Sequence, residues 1–416
     1  MTCFSETSRR LLKMNSPMCR RHLQRYADVL LWGLGKARKK PFRKGNIVVV
    51  RFDPAATELA EVLYERLLDR RIHPVQRVNP TPVMEKALFT RGDDHQVGFR
   101  PPGERRLLAN LNGSIVLHAP DSLTHLARVD PGRIARAAMA RKPLRDIMER
   151  RESSGDLGWT LCTYPTRALA DQAKMSLSEY ADQIVKACFL HRKSPLDHWE
   201  SVFARARQIK HRLQSLSIGR LHVESRNIDL RITPGEKRKW LGVSGRNIPS
   251  FEIFLSPDWR GTNGVYYANQ PSYRNGNIVA GVRLQFADGT LRSASAELGE
   301  AFLKKQIGMD VGAGRVGEFS LTDRRFSRID RFMANTLFDE NYGGRFGNCH
   351  IALGSAYAAS FDGDAAKQSP LDQRRLGFNA SALHWDLVNT EQKRVTAELS
   401  TGGRLVIYEN GQFTEW

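Results

Sequence analysis

IVVVRFDPAATELAEVLYERLL, Ile47–Leu68, is the stretch whose reading decides how the chain begins to fold. From Ile47 to Phe52 it is an almost unbroken apolar run dominated by β-branched side chains, the mark of a buried strand. From Pro54 onward the pattern turns helical, and proline stands where a helix can start without losing a hydrogen bond. A strand running straight into a helix is the first half of a βαβ unit.

The same alternation extends outward. Upstream, Arg43-Lys44-Gly45-Asn46 reads as a turn and Leu23–Leu34 as a helix. Downstream come short strands at Val75–Val78 and Ser114–His118, a long basic amphipathic helix over Ile134–Arg150, and a fourth strand over Trp159–Thr166 that leads into another helix. This predicts an α/β N-terminal domain with a parallel sheet flanked by helices. Asp53-Pro54 follows the first strand where a phosphate-binding glycine fingerprint would stand, so no nucleotide site is expected there.

A helix over His198–Leu216 ends in a change of character near Gly219. Beyond it lie short alternating runs, Leu221–Glu224, Ile228–Ile232, Phe251–Leu255 and Val279–Phe286, separated by turn signals such as Asn275-Gly276 and Asp288-Gly289. That half is expected to be an α+β metal-binding domain with a largely antiparallel sheet. The expected division is a basic arm and first helix at 1–44, the α/β domain at 45–212 and the catalytic domain at 213–416.

With 416 residues the chain can bury two cores. No apolar run approaches the ~18 residues of a membrane helix. Its five cysteines are scattered without Cys-x-x-Cys spacing, which argues against a disulfide framework or thiolate zinc and for a reducing cytoplasm. The net charge is +20, and half of it falls in residues 1–44. A solvated basic extension is the reading adopted; contact with nucleic acid or anionic lipid through that arm, or a targeting presequence, are the alternatives.

Four stretches in the second half carry acids and histidines in unusual company. Glu252 stands inside the apolar run Phe251–Leu255, and Glu318 precedes Phe319 in the same manner. Leu337–Tyr357 contains Glu340, a group of glycines, His350 and Tyr357; on a helix the last two would share one face. His384 and Asp386 are two apart and point to one side of a strand. Singly, each glutamate is better explained as a salt-bridged strand residue, and His-x-Asp is weak. Jointly, carboxylates with a minority of imidazoles suit zinc, cobalt or manganese, and this many ligands fits two divalent ions sharing a carboxylate.

The succession Asn247-Ile248-Pro249-Ser250 before Glu252, Gly317-Glu318, Phe338-Asp339-Glu340-Asn341 followed by His350 to Tyr357, and His384 with Asp386 resembles the thermophilic-aminopeptidase family of metallopeptidases, of the aminopeptidase T and aminopeptidase S type. The resemblance runs from about Tyr26 to Trp416. It implies a metal-dependent aminopeptidase acting on peptides with a free N-terminus, as a homodimer. It implies Glu252, Glu318, His350, His384 and Asp386 as metal ligands, with Glu318 bridging. Tyr357 becomes a further ligand or a donor to the reacting oxygen, and Glu318 or Glu340 the proton shuttle. Arg345 or Arg246 could steady the oxyanion. The loop Tyr342–Asn348 is longer than the family's. A two-metal phosphoesterase and a non-enzymatic scaffold are the rival readings.

Overall fold

The computed structural model describes residues 16–274 and 277–415. Residues 1–15 of the basic arm, Cys3 among them, and the turn Asn275-Gly276 therefore lie outside the described residues, whereas the basic residues from Arg20 to Lys44 fall in the helix Arg20–Ala37 and the segment after it, not in a free extension. The chain forms two compact units, the first ending at Leu196 and the second beginning at Asp197.

In the first unit, β1 (Ile47–Phe52), β2 (His73–Val78), β3 (Gly113–His118) and β4 (Gly158–Thr163) form a parallel sheet in the order β2-β1-β3-β4. Helices Arg20–Ala37 and Thr57–Asp69 pack together against it, burying Leu23, Tyr26, Leu30, Leu59 and Leu63. Helices Glu104–Asn110 and Lys142–Ser153 bring Leu108, Leu144 and Ile147 to Val49 and Leu157. A sheet with helices on it, its inner strands β1 and β3 largely apolar and buried and its edge strand β2 polar and exposed, is the architecture expected of a parallel sheet.

One expected helix needs correction. The single helix over Ile134–Arg150 is two, Pro131–Ala140 and Lys142–Ser153, broken at Arg141. Pro143 has no N–H to return to a carbonyl in the preceding turn, so its place is in a new first turn.

The second unit begins with the helix Pro195–Ser215 crossing the expected boundary. It holds two larger sheets. Strands β5 (Ile218–Ser225), β6 (Asp229–Thr233), β9 (Asp258–Ala268), β12 (Val282–Ala287), β13 (Thr290–Ser295), β17 (Lys393–Leu399), β18 (Arg404–Glu409) and β19 (Gln412–Phe413) form an eight-stranded antiparallel sheet. Strands β8 (Glu252–Leu255), β14 (Val316–Thr322), β15 (Asn348–Gly354) and β16 (His384–Asn389) form a four-stranded antiparallel sheet in the order β16-β15-β14-β8. The unit also holds the short strands β7 (Asn247–Ile248), β10 (Ser272–Arg274) and β11 (Asn277–Val279), and the run expected as one strand over Val279–Phe286 breaks at Ala280-Gly281, between β11 and β12.

The two sheets touch through β9, whose Tyr266 hydroxyl donates to Cys349 O at 3.2 Å and Leu387 O at 2.7 Å. Ile253, Leu255, Phe319, Leu321, Ile351, Leu353 and Leu387 alternate along the small sheet and are buried. The intervening residues therefore share its opposite face, and the functional side chains are found there.

Candidate metal centre

Register alone gathers the centre. Thr322 pairs with Glu252, Ser320 with His350, and Glu318 with Ala352, which pairs in turn with Asp386; Gly354 pairs with His384. Directly paired residues of antiparallel strands point to the same side, so Glu252, Glu318, His350, His384 and Asp386 project from one face. Ser320, Ala352 and Gly354 lie between them and are small, which leaves space above the sheet.

A bulge between Val316 and Glu318 sets the aim of Glu318. Only glycine fits at position 317, because a Cβ there would lie 2.3 Å from Gly354 O and 2.4 Å from Ser355 O. The glycines of 343–347 make room for neighbouring parts of the protein. At Gly347 φ is +58°, and a Cβ would meet the Tyr408 hydroxyl at 2.1 Å, so this glycine admits a neighbouring side chain, with no bound group involved. Nor do His350 and Tyr357 share a helix: His350 is inside β15, and Tyr357 follows it in a loop.

The distances divide the cluster into two overlapping groups. His350 Nε2 is 3.4 Å from Glu252 Oε2 and 3.3 Å from Glu318 Oε1. His384 Nε2 is 3.6 Å from Glu318 Oε2 and 3.4 Å from Asp386 Oδ1. Glu252, Glu318 and His350 thus form one triad, and Glu318, His384 and Asp386 a second. These separations exceed the ~2.7–2.9 Å of charge-assisted hydrogen bonds, so the side chains surround space and do not close on one another.

Among the described residues, no lysine or arginine nitrogen comes within ion-pair distance of these carboxylates or of Glu340. Buried acids without a lysine or arginine partner are costly, and they perturb one another. Burial, with Glu318 beside it, pushes Glu252 up to about 8. Burial, then Glu252, Asp386 and Glu318, holds Glu340 well above the carboxylate range. Burial would lower both histidines, but the carboxylates outweigh it and raise His350 and His384 to about 9. A site of this composition fits divalent cations, which would supply the missing positive charge.

Supporting contacts orient these groups. His384 Nδ1 lies 2.9 Å from Ser355 O, which places the proton on Nδ1 and leaves Nε2 toward the cluster. The Tyr357 hydroxyl is 3.3 Å from His384 Nε2, and its ring packs on Phe254. Arg345 is exposed, its guanidinium over the Phe346 ring, and Arg246 is half-buried. Asn341 has a role that the sequence reading did not assign. Its Oδ1 accepts from Phe251 N at 2.5 Å and Glu252 N at 3.2 Å, pinning the start of β8. Its one signal was its place directly after Asp339-Glu340.

Comparison with known proteins identifies the family. The profile of the thermophilic metalloprotease family, M29, matches residues 19–413. Aminopeptidase PepS of Streptococcus thermophilus is 27% identical over 71% of this chain and 74% of its own length. Aminopeptidase 2 of Geobacillus stearothermophilus is 30% identical over 71% of this chain and 75% of its own. Aminopeptidase T of Thermus aquaticus is 29% identical over 62% of this chain and 63% of its own. The structure of AmpT from Thermus thermophilus superimposes with a TM-score of 0.77 over 95% of this chain and 100% of that one, at 21% identity, and so shares the fold. The chain belongs to the thermophilic metalloprotease family M29 and is a metal-dependent hydrolase of peptides.

Proposed function

We propose that the protein is an aminopeptidase that releases residues from free peptide N-termini at a two-metal centre. The observation carrying the two-metal reading is the divided use of Glu318, whose Oε1 lies toward His350 and Oε2 toward His384. Glu252, Glu318 and His350 would hold one ion, and Glu318, His384 and Asp386 the other. Zinc, cobalt and manganese suit this mixture of carboxylate and imidazole. When bound, such a pair supplies Lewis acidity toward the scissile carbonyl and toward water.

The remaining steps belong to side chains. Glu340, which lies beside Asp386 at the cluster, takes the proton of the attacking water and passes it to the leaving amine. Glu318 is the poorer shuttle because both its oxygens face histidines. The Tyr357 hydroxyl, raised by partial burial and then by Glu318 and Asp386, stays protonated and donates to the carbonyl oxygen as charge develops there. The same reading takes 45–212 as a supporting domain and 213–416 as the catalytic one, and it expects a cytoplasmic homodimer.

The test is metal analysis beside turnover of amino-acid amides, with a nucleic-acid substrate as control. His384→Ala and Asp386→Ala should each lose metal and amidase activity together. Full metal content with retained turnover in either variant refutes the ligand assignment, and cleavage of the nucleic acid alone refutes the peptidase reading.

A further inference from the structure

Next to the cluster lies a cleft of about 20 Å³, lined by Asn335, Glu340 and Asp386, with Tyr273 and Val388 among its walls. A space of ~10–15 Å³ already accommodates one water-sized group, so this cleft takes a single small group and little more.

Asn335 is held firmly at its edge. Its backbone N donates to Asp339 Oδ2 at 2.8 Å, and its carbonyl accepts from Phe338 N and Asp339 N at 3.0 and 2.9 Å. Its side-chain Oδ1, by contrast, is buried with no hydrogen-bond partner among the described residues. A buried bare acceptor is costly, and the natural resolution is an occupant that donates. Glu340 and Asp386 border the same space, and Ser272 and Thr336 line it too; Ser272 Oγ already accepts from Trp385 Nε1. An amide oxygen and two carboxyl groups around so small a volume match a group that is compact, positive and rich in N–H donors. A primary ammonium group offers three such donors.

We propose that this cleft receives the α-amino group of the peptide's first residue, with Asn335 Oδ1 as its fixed acceptor; the assignment rests on the cluster being the hydrolytic centre. Asn335 then acts as a specificity residue. An acylated amine has no charge, has fewer donors and is too bulky for the space, so only free N-termini are aligned.

The experiment compares leucine hydroxamate with its desamino counterpart, 4-methylpentanoyl hydroxamate, as inhibitors of the metal-loaded enzyme. The wild type should bind the amino compound about tenfold more tightly or better, as expected of a charged hydrogen bond. Asn335→Leu and Asn335→Ala should lower that ratio by about threefold or more, the carboxyl groups keeping the remainder, and leave metal content and the desamino inhibition constant unchanged. Asn335→Asp should keep the preference. An unchanged ratio in a metal-replete Asn335→Ala enzyme overturns the proposal. So does equal weakening of both inhibitors, or loss of metal, either of which marks Asn335 as structural. A wild type that turns over no amino-acid amide instead sinks the aminopeptidase reading itself, so the two failures are distinguishable.

Discussion

Glu252, His350 and His384 are all raised above their usual values in the metal-free protein, to about 8, 9 and 9. Near neutral pH the empty cluster therefore carries protons that an incoming ion must displace. Metal binding at pH 7 should release about two to three protons, measurable by titration calorimetry in buffers of different ionisation enthalpy. The sign for stability follows the same way. Raised histidines and a raised glutamate stabilise the fold while protonated, and that contribution is lost as pH rises through about 8 to 9. Melting curves of chelator-treated protein should shift downward between pH 6 and pH 9, and a rise in that window would refute the cluster's charge balance. Asn341 offers a second prediction at this scale. Asn341→Ala strips an acceptor from two backbone N–H groups and should cost about 2–4 kcal/mol in urea unfolding, with weaker metal binding. The acids and imidazoles were legible in the sequence because charge inside apolar runs demands a partner. Asn341 was not, because a neutral amide breaks no pattern.

The small sheet, as an element, works through register and one bulge. Gly317→Ala would drive a methyl into the carbonyls of Gly354 and Ser355, neither of which can give way without moving β15. The expected cost is about 1–3 kcal/mol of stability, together with a loss of metal from both triads because Glu318 turns away. Wild-type metal stoichiometry in that variant would show that the bulge does not aim Glu318. Elements with clean periodicity were readable beforehand, β1 and the helix after it above all. Strand β9 was not, since Gly261, Asn263 and Gly264 mimic turn signals inside an 11-residue strand. The helices between Pro82 and Asn110 are short and capped locally, with Thr81 accepting from Met84 N and Asp93 from Gln96 N, and caps of this kind leave little periodicity to detect. Nor could one sequence show that β14 and β15 lie side by side, although that pairing brings Glu318 to His350.

For the whole molecule, the +20 charge is the property least explained by the centre, which is itself acidic. Half of it lies in residues 1–44, and the rest is distributed through the chain, so the field felt by an approaching peptide is positive at long range. Long-range attraction acts on association and is screened by salt, whereas the contacts made after docking are not. Peptides with acidic tails should therefore be favoured at low ionic strength through kcat/KM, with kcat little altered. Raising salt from about 20 mM to about 300 mM should lower kcat/KM for an acidic-tailed peptide by about two- to fivefold and leave or raise it for a basic-tailed one. Steady-state kinetics on a matched pair differing only beyond the second residue would decide this. Equal salt dependence of the two would mean that the basic charge serves some other contact and does not steer substrate.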